Sequence, residues 1–284
     1  MATQSTEFRK KITVQKFPLL TTFCFLIIVS YVAFFHHNFW IIDLDGIIYL
    51  TAGEQILNGD GKNVHLVNAP IGGPIMYAGI NSFFNDGFFT MKLVSVLSST
   101  GMVFLSYNIM RNVFDSKTAL VGQLLFAFFP WVGIFAIQAE NEMFPLFLIM
   151  LSLYFVTKKH LRTYEIIIIG SLIGIAFMFR TQPVVVLFTV IIYLLIRNSN
   201  IRINLYHVGL ILAFFIIFLS PLIVYNFSVH ENLIDVDSNF YMAMRYKYQT
   251  PEWHDEVVRS IGKGTLEGIS VDFNLFLKNY FYNQ

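Results

Sequence analysis

The sequence has one cysteine, Cys24, little charge and no excess of either sign. Only 13% of its 284 residues are Asp, Glu, Lys or Arg, and the formal net charge is +1. A single cysteine excludes an intrachain disulfide and any metal centre built from several thiolates. The balanced charge offers no basic stripe of the kind nucleic-acid-binding domains display, so no nucleic acid is expected as a partner and any phosphate recognition has to be local. Ionisable residues are also missing from the middles of the apolar runs, where ion-coupled transporters commonly place them. No long internal repeat stands out.

Hydrocarbon is what the chain has in abundance. It is 56% hydrophobic and 17% aromatic, with a mean hydropathy of +0.61, whereas soluble domains are roughly 45–50% apolar. This composition is that of a membrane protein. Seven apolar runs are visible, at 17–42, 93–110, 119–139, 143–157, 164–179, 183–196 and 203–227. The first follows the basic flank "EFRKKITVQK". It is too long for a signal-peptide core and lacks a small-residue cleavage site, so it reads as a retained signal anchor. The first, third and seventh reach the ~20 residues a span needs, while the short fifth and sixth resemble segments that are often re-entrant. Two thin helices meeting around Arg180 are expected there. The fold class is therefore all-α and polytopic, with about seven transmembrane helices and a helical first extracytoplasmic loop.

Lys and Arg give the orientation. Arg9, Lys10, Lys11 and Lys16, then Arg111 and Lys117, then Lys158, Lys159 and Arg162, then Arg197 and Arg202 fall in alternate connections, which the positive-inside bias places in the cytoplasm. Residues 1–16 are then a cytoplasmic N-terminus, 17–227 a membrane module with an outer loop at 43–92, and 228–284 an extracytoplasmic tail. In the outer loop, "DGIIYLTAGEQILNGDG" sets Ile48, Ala52 and Ile56 on one helical face, as in a helix lying on the membrane surface. "APIGGPIMY" then forces a turn before a second short helix near 75–84. In the tail, Thr250 and Pro251 open another helix that Gly262 stops.

The ionisable residues gather at the outer ends of the runs: Asp43, Asp45, Lys62, His65, Glu140, Glu142 and Arg180. A ring there would surround a site open to both water and lipid, which suits a substrate with a greasy tail and a polar head. Asp43 and Asp45, two apart on an extended segment, would point the same way and could bind a divalent cation through hard oxygen ligands, with Glu142 as a further ligand. Each residue also has a plainer reading. Asp45 can be a solvated interfacial acid, Glu142 can cap the fourth helix, and Arg180 can be a snorkelling cation, although it lies on the side opposite to the other basic residues.

At these residues the sequence resembles the GT-C class of membrane glycosyltransferases, in the family 39-like branch of protein O-mannosyltransferases and lipid A aminoarabinose transferases. "DLDGIIYL" is similar to the first outer-loop motif, with Asp45 and Tyr49 at matching positions, Gly46 in place of the usual second acid and Ile48 in place of the usual Arg. "APIGGPIMYAGINSFF" resembles the Pro-rich entry to the second loop helix, without the usual Lys-Pro-Pro. "QAENEMFPLFL" resembles the Glu-led fourth helix through Glu142, "FRTQPVVV" the Arg-Pro turn through Arg180, and "LSPLIVYNF" the exit from the seventh helix through Pro221 and Asn226. Family members generally continue through more helices, so a further one would be expected after "KNYFYNQ".

The resemblance implies transfer of a sugar from a polyprenyl- or dolichyl-phosphate donor to a hydroxyl of a protein, lipid or glycan acceptor, with inversion, on the extracytoplasmic face of the cell membrane. Asp45 is the candidate general base, with Asp43 beside it. Arg180 would stabilise the departing phosphate, with Lys62 and His65 behind it, and Tyr49, Glu142 and Asn226 would complete substrate binding. No organic cofactor is implied, and a divalent cation is the open alternative. The competing functions are a transporter or lipid flippase, which would need a midplane polar pathway, and a non-catalytic membrane subunit.

Overall fold

The structure is a computed structural model, and it describes residues 2–36, 44–60, 70–197 and 201–230. Asp43, Lys62, His65 and the expected tail helices lie outside the described residues, and of Asp45 only the backbone is described. The elements are ten helices: α1 (Ala2–Phe35), α2 (Leu44–Leu57), α3 (Gly72–Phe84), α4 (Gly87–Val113), α5 (Ser116–Ala127), α6 (Pro130–Ile137), α7 (Met143–Val156), α8 (Thr163–Phe177), α9 (Pro183–Arg197) and α10 (Ile201–His230). The chain is an all-α polytopic membrane protein.

Among the described residues three helices are long and apolar enough to cross a membrane, at Lys16–Phe35, Gly87–Val113 and Ile201–Ser228. A fourth span results if α5 and α6, which meet at a bend of 54°, are taken together. The other three apolar helices, α7, α8 and α9, are 14, 15 and 15 residues long. Each expected run is largely helical where it is described, but the lengths are redistributed. The third run is broken rather than continuous. Pro130 starts α6 and holds Phe129 in an extended conformation (φ −69°, ψ 119°), because a residue before proline is pushed out of the helical region. The second run, by contrast, belongs to a 27-residue helix that starts at Gly87, where the Asp86 side chain accepts a hydrogen bond from the Phe89 N–H at 2.9 Å.

Packing follows the small residues. A methyl group added at Gly170 would lie 2.5 Å from the Ile211 carbonyl oxygen, and one at Gly174 would lie 2.7 Å from that of Phe215. This small-xxx-small pair lets α8 and α10 approach backbone to backbone. Ile166, Ile169, Ile173, Leu187, Val190, Leu194 and Ile211 form the core around that crossing. A second core joins Phe25, Val29 and Ala33 of α1 to Val96 and Val103 of α4 and Ala136 of α6. Lys92 is carried into α4, where its Nζ donates to the Ala33 carbonyl at 2.8 Å and satisfies the end of α1.

The two helices expected between the first and second runs both occur, α2 ending at a left-handed Gly59 (φ 84°). The α2 face bearing Ile48, Ala52 and Ile56 is packed on protein: it meets Ile71, Met178, Phe179 and Leu222. The apolar stripe expected to lie on the membrane surface thus seats α2 over the α8–α9 break and the end of α10.

Candidate functional site

Three interruptions of the helices come together at one end of the bundle: the start of α3, the segment 138–142 between α6 and α7, and the segment 178–182 between α8 and α9. The Gly72 N–H donates to the Met178 carbonyl at 2.9 Å, and a methyl group at Gly72 would lie 2.5 Å from that oxygen. One residue on, a methyl group at Gly73 would lie 3.0 Å from both polar atoms of Asn141. The two glycines let the first turn of α3 wedge between the two breaks.

The breaks are also joined by charge. The Arg180 guanidinium forms an ion pair with the Glu142 carboxylate. Glu142 occupies the N-cap position of α7, yet its side chain makes no capping bond. The Glu142 carboxylate is thus engaged with Arg180 and makes no hydrogen bond to the first turn of α7. The pair is partly solvated, with side chains 37% exposed for Arg180 and 27% for Glu142, so it is worth no more than about 1 kcal/mol as a fastener. Its significance is its position. Glu142, Arg180 and Gln182 line the polar part of a cleft of about 230 Å³ whose remaining wall is Pro145, Leu146, Ile149 and Pro183.

Beside the pair, the backbone of the 138–142 segment is clamped from two helices. The Glu140 carbonyl accepts from Tyr77 Oη of α3 at 2.9 Å and from Ser95 Oγ of α4 at 3.3 Å. Tyr77 is 1% exposed and packs with Tyr49, Met91, Val94 and Ala139. Burial first, then the neighbouring Tyr49 and Glu140, push its hydroxyl well above the ordinary phenol range, so it stays a neutral donor. Asn141, 5% exposed, has no hydrogen-bonding partner for either amide atom among the described residues, and such burial of an unmatched polar group costs about 1–3 kcal/mol.

The structure brings together Tyr49, Glu142 and Arg180 around this end, and with them Tyr77, Glu140 and Asn141. Asp45 lies in the first turn of α2, one helical turn before Tyr49. Asn226 is buried on α10, one turn beyond the Leu222 that packs on Met178 and Phe179. Sequence reasoning assigned no role to Tyr77 or Asn141. Asn141 had a local signal, an amide between two glutamates just ahead of an apolar helix. Tyr77 had none, since its role depends on a partner 63 residues away. Among the described residues no group of three His, Cys, Asp or Glu side chains is placed to hold a metal ion.

Fold and site define the class: a polytopic helical membrane protein with a largely apolar cleft, charged at its mouth, at one end of its bundle. The family profile described as dolichyl-phosphate-mannose-protein mannosyltransferase matches residues 68–225, more than half of the chain, and the protein belongs to that family. Membership places it in the GT-C class, among membrane glycosyltransferases that draw on a dolichyl-phosphate-linked sugar. The match takes in Gly72, Gly73, Tyr77, Glu142 and Arg180, and begins after Asp43, Asp45, Tyr49, Lys62 and His65. No curated protein and no solved structure matches the chain.

Proposed function

We propose that the protein moves a sugar from a polyprenyl- or dolichyl-phosphate donor to a hydroxyl of a protein, lipid or glycan acceptor on the extracytoplasmic face, with inversion. The observation that carries this reading is the position of Arg180, in the α8–α9 break at the polar end of an otherwise apolar cleft. A lipid phosphate needs a cation at such a boundary. Orientation is supported by the opposite end of the bundle, where Lys158, Lys159, Arg162 and Arg197 gather, as the positive-inside bias requires of a cytoplasmic end.

In this mechanism the acceptor hydroxyl attacks the anomeric carbon and passes its proton to the Asp45 carboxylate. The bond from that carbon to the phosphate oxygen breaks, and its electron pair leaves with the phosphate. Phosphate is a competent leaving group, so the site has to stabilise its charge rather than protonate it, which is the task of Arg180. Asp45 precedes Tyr49 by one turn of α2, and this supports it as the base. Asp43, Lys62 and His65 remain candidates to assist, Asp43 as a second carboxylate or cation ligand and the other two as phosphate contacts. Glu142 and Asn226 belong to the substrate-binding rim.

The test is sugar transfer by purified full-length protein with a defined polyprenyl-phosphate sugar, wild type against Asp45→Asn at equal amounts. Loss of product with donor binding retained is the expected result. Undiminished transfer by the variant removes Asp45 as base. Absence of transfer by both, with a donor and acceptor verified on another enzyme, favours the non-catalytic subunit.

A further inference from the structure

We infer that the Glu142–Arg180 pair is an anion site already filled from within: Glu142 is a tethered carboxylate that holds the place of a single-chain lipid phosphate and yields to it on binding. This rests on the proposed use of Arg180 for the donor phosphate, and it adds which group the donor must displace and where its chain first runs.

Four observations converge. Arg180 presents a planar fork that pairs with a carboxylate and with a phosphate by the same geometry, so the two compete for it. Glu142 is engaged with Arg180 although it stands at the N-cap position of α7 and makes no capping bond there. Once displaced, its carboxylate is beside the positive end of α7, where an anion is favoured, so the exchange does not strand a charge. Finally, the cleft wall is a stripe on α7. Glu142, Pro145, Leu146 and Ile149 recur at i, i+3, i+4 and i+7, and they run about 10 Å down the helix from the ion pair.

The stripe fixes the occupant. It begins at a cation and continues as hydrocarbon, the order of groups in a lipid phosphate. The hydrocarbon part of the wall is reachable from outside the bundle, with Leu146 44% exposed on α7. Its volume of about 230 Å³ is below the usual range of small-molecule pockets, roughly 300–1,000 Å³. It has room for the first part of one hydrocarbon chain beside the ion pair. With the proposed donor as occupant, a polyprenyl phosphate sets its phosphate on Arg180 and its first units against Leu146 and Ile149.

The experiment measures equilibrium binding of sugar-free polyprenyl monophosphate to the full chain in nanodiscs of zwitterionic lipid, so it does not depend on catalysis. Glu142→Gln removes the internal competitor and keeps the shape, and binding about two- to fivefold tighter is expected, the size of a partly exposed ion pair. Arg180→Gln should weaken binding at least about tenfold and abolish the effect of the Glu142 change in the double variant. Ile149→Trp should weaken binding of the long-chain phosphate while leaving competition by inorganic phosphate unchanged. Thermal unfolding of each variant confirms that it is folded. Unchanged or weaker binding by Glu142→Gln overturns the inference, because Glu142 then merely positions Arg180. Equal response of dioleoyl phosphatidic acid overturns the single-chain assignment. Failure of polyprenyl monophosphate to bind either wild type or Glu142→Gln removes the donor reading itself, a result distinct from the other two.

Discussion

Two glutamate–cation pairs sit at opposite ends of the α7–α9 bundle, and they are built differently. At one end Glu165 is 3% exposed, pairs with Lys158 at 2.7 Å and accepts the Arg162 N–H at 2.8 Å, closing the first turn of α8. Lys158 also lies over the Tyr154 and Phe155 rings, and Arg197 donates to the carbonyls of Val156, Lys158 and Lys159. Each charge there is shared among several fixed groups. At the other end Glu142 and Arg180 meet at the edge of a cleft, beside an Asn141 amide with no partner among the described residues. A saturated pair fastens helices, whereas an under-used one keeps coordination in reserve for something that arrives. Residue types alone do not separate the two; the number of partners does.

The strongest way to break this contrast is to exchange the consequences of losing each arginine. Arg180→Ala is expected to lower sugar transfer by about 10²–10³ while unfolding stability changes by less than about 1 kcal/mol. Arg197→Ala should do the reverse. It loses bonds to three carbonyls at and just beyond the end of α7 and should cost about 2–3 kcal/mol, with activity per folded molecule retained. Glu165→Ala, which leaves Lys158 without its carboxylate and the start of α8 without its bond to Arg162, should cost about 3 kcal/mol. Transfer assays normalised to folded protein, together with chemical denaturation, separate the two behaviours. If Arg180→Ala proves as destabilising as Glu165→Ala and no more damaging to transfer, the distinction between fastener and site fails.

The same contrast explains which parts were legible from sequence. Hydrophobic runs, the α2 and α3 helices and the interruption at Arg180 are local signals, set by composition and by Gly and Pro within a few residues. The break at Phe128–Phe129 was signalled by Pro130 but hidden by a run that stays apolar on both sides. The start of α4 lay six residues before its apolar run, because Asp86 caps a stretch that hydropathy does not mark. What sequence could not supply is contact between distant segments. Ile48, Ala52 and Ile56 were recognisable as one face, but whether that face met lipid or Met178 and Phe179 depended on the fold. Glu142 and Arg180 were both identified, yet their pairing across 38 residues of sequence is visible only in the fold.

Smaller changes then sharpen how the site end is held. Gly72→Ala forces a methyl group to within 2.5 Å of the Met178 carbonyl oxygen, two residues before Arg180. Overpacking of this kind costs about 1–3 kcal/mol. Because a displacement of ~1 Å near the chemistry can cost about 10²-fold in rate, activity should fall further than stability does. Gly79→Ala on the same helix, where a methyl group meets nothing within 4 Å, is the control and should be close to neutral. Equal effects of the two would mean that the wedge of α3 between the breaks does not position Arg180.

The smallest effect is expected at the clamp on the 138–142 segment. Tyr77→Phe keeps the ring in its packed place and removes only the bond to the Glu140 carbonyl, which Ser95 still approaches at 3.3 Å. A neutral hydrogen bond is worth about 1 kcal/mol, so stability should fall by that amount and no more. Transfer should fall by a few-fold through kcat, since the clamp fixes the segment that carries Asn141 and Glu142. Adding Ser95→Ala should cost more than the sum of the two single changes, because it leaves a buried carbonyl without either donor. Simple additivity would show that the two hydroxyls act independently, and the segment would then owe its position to the α3 wedge alone.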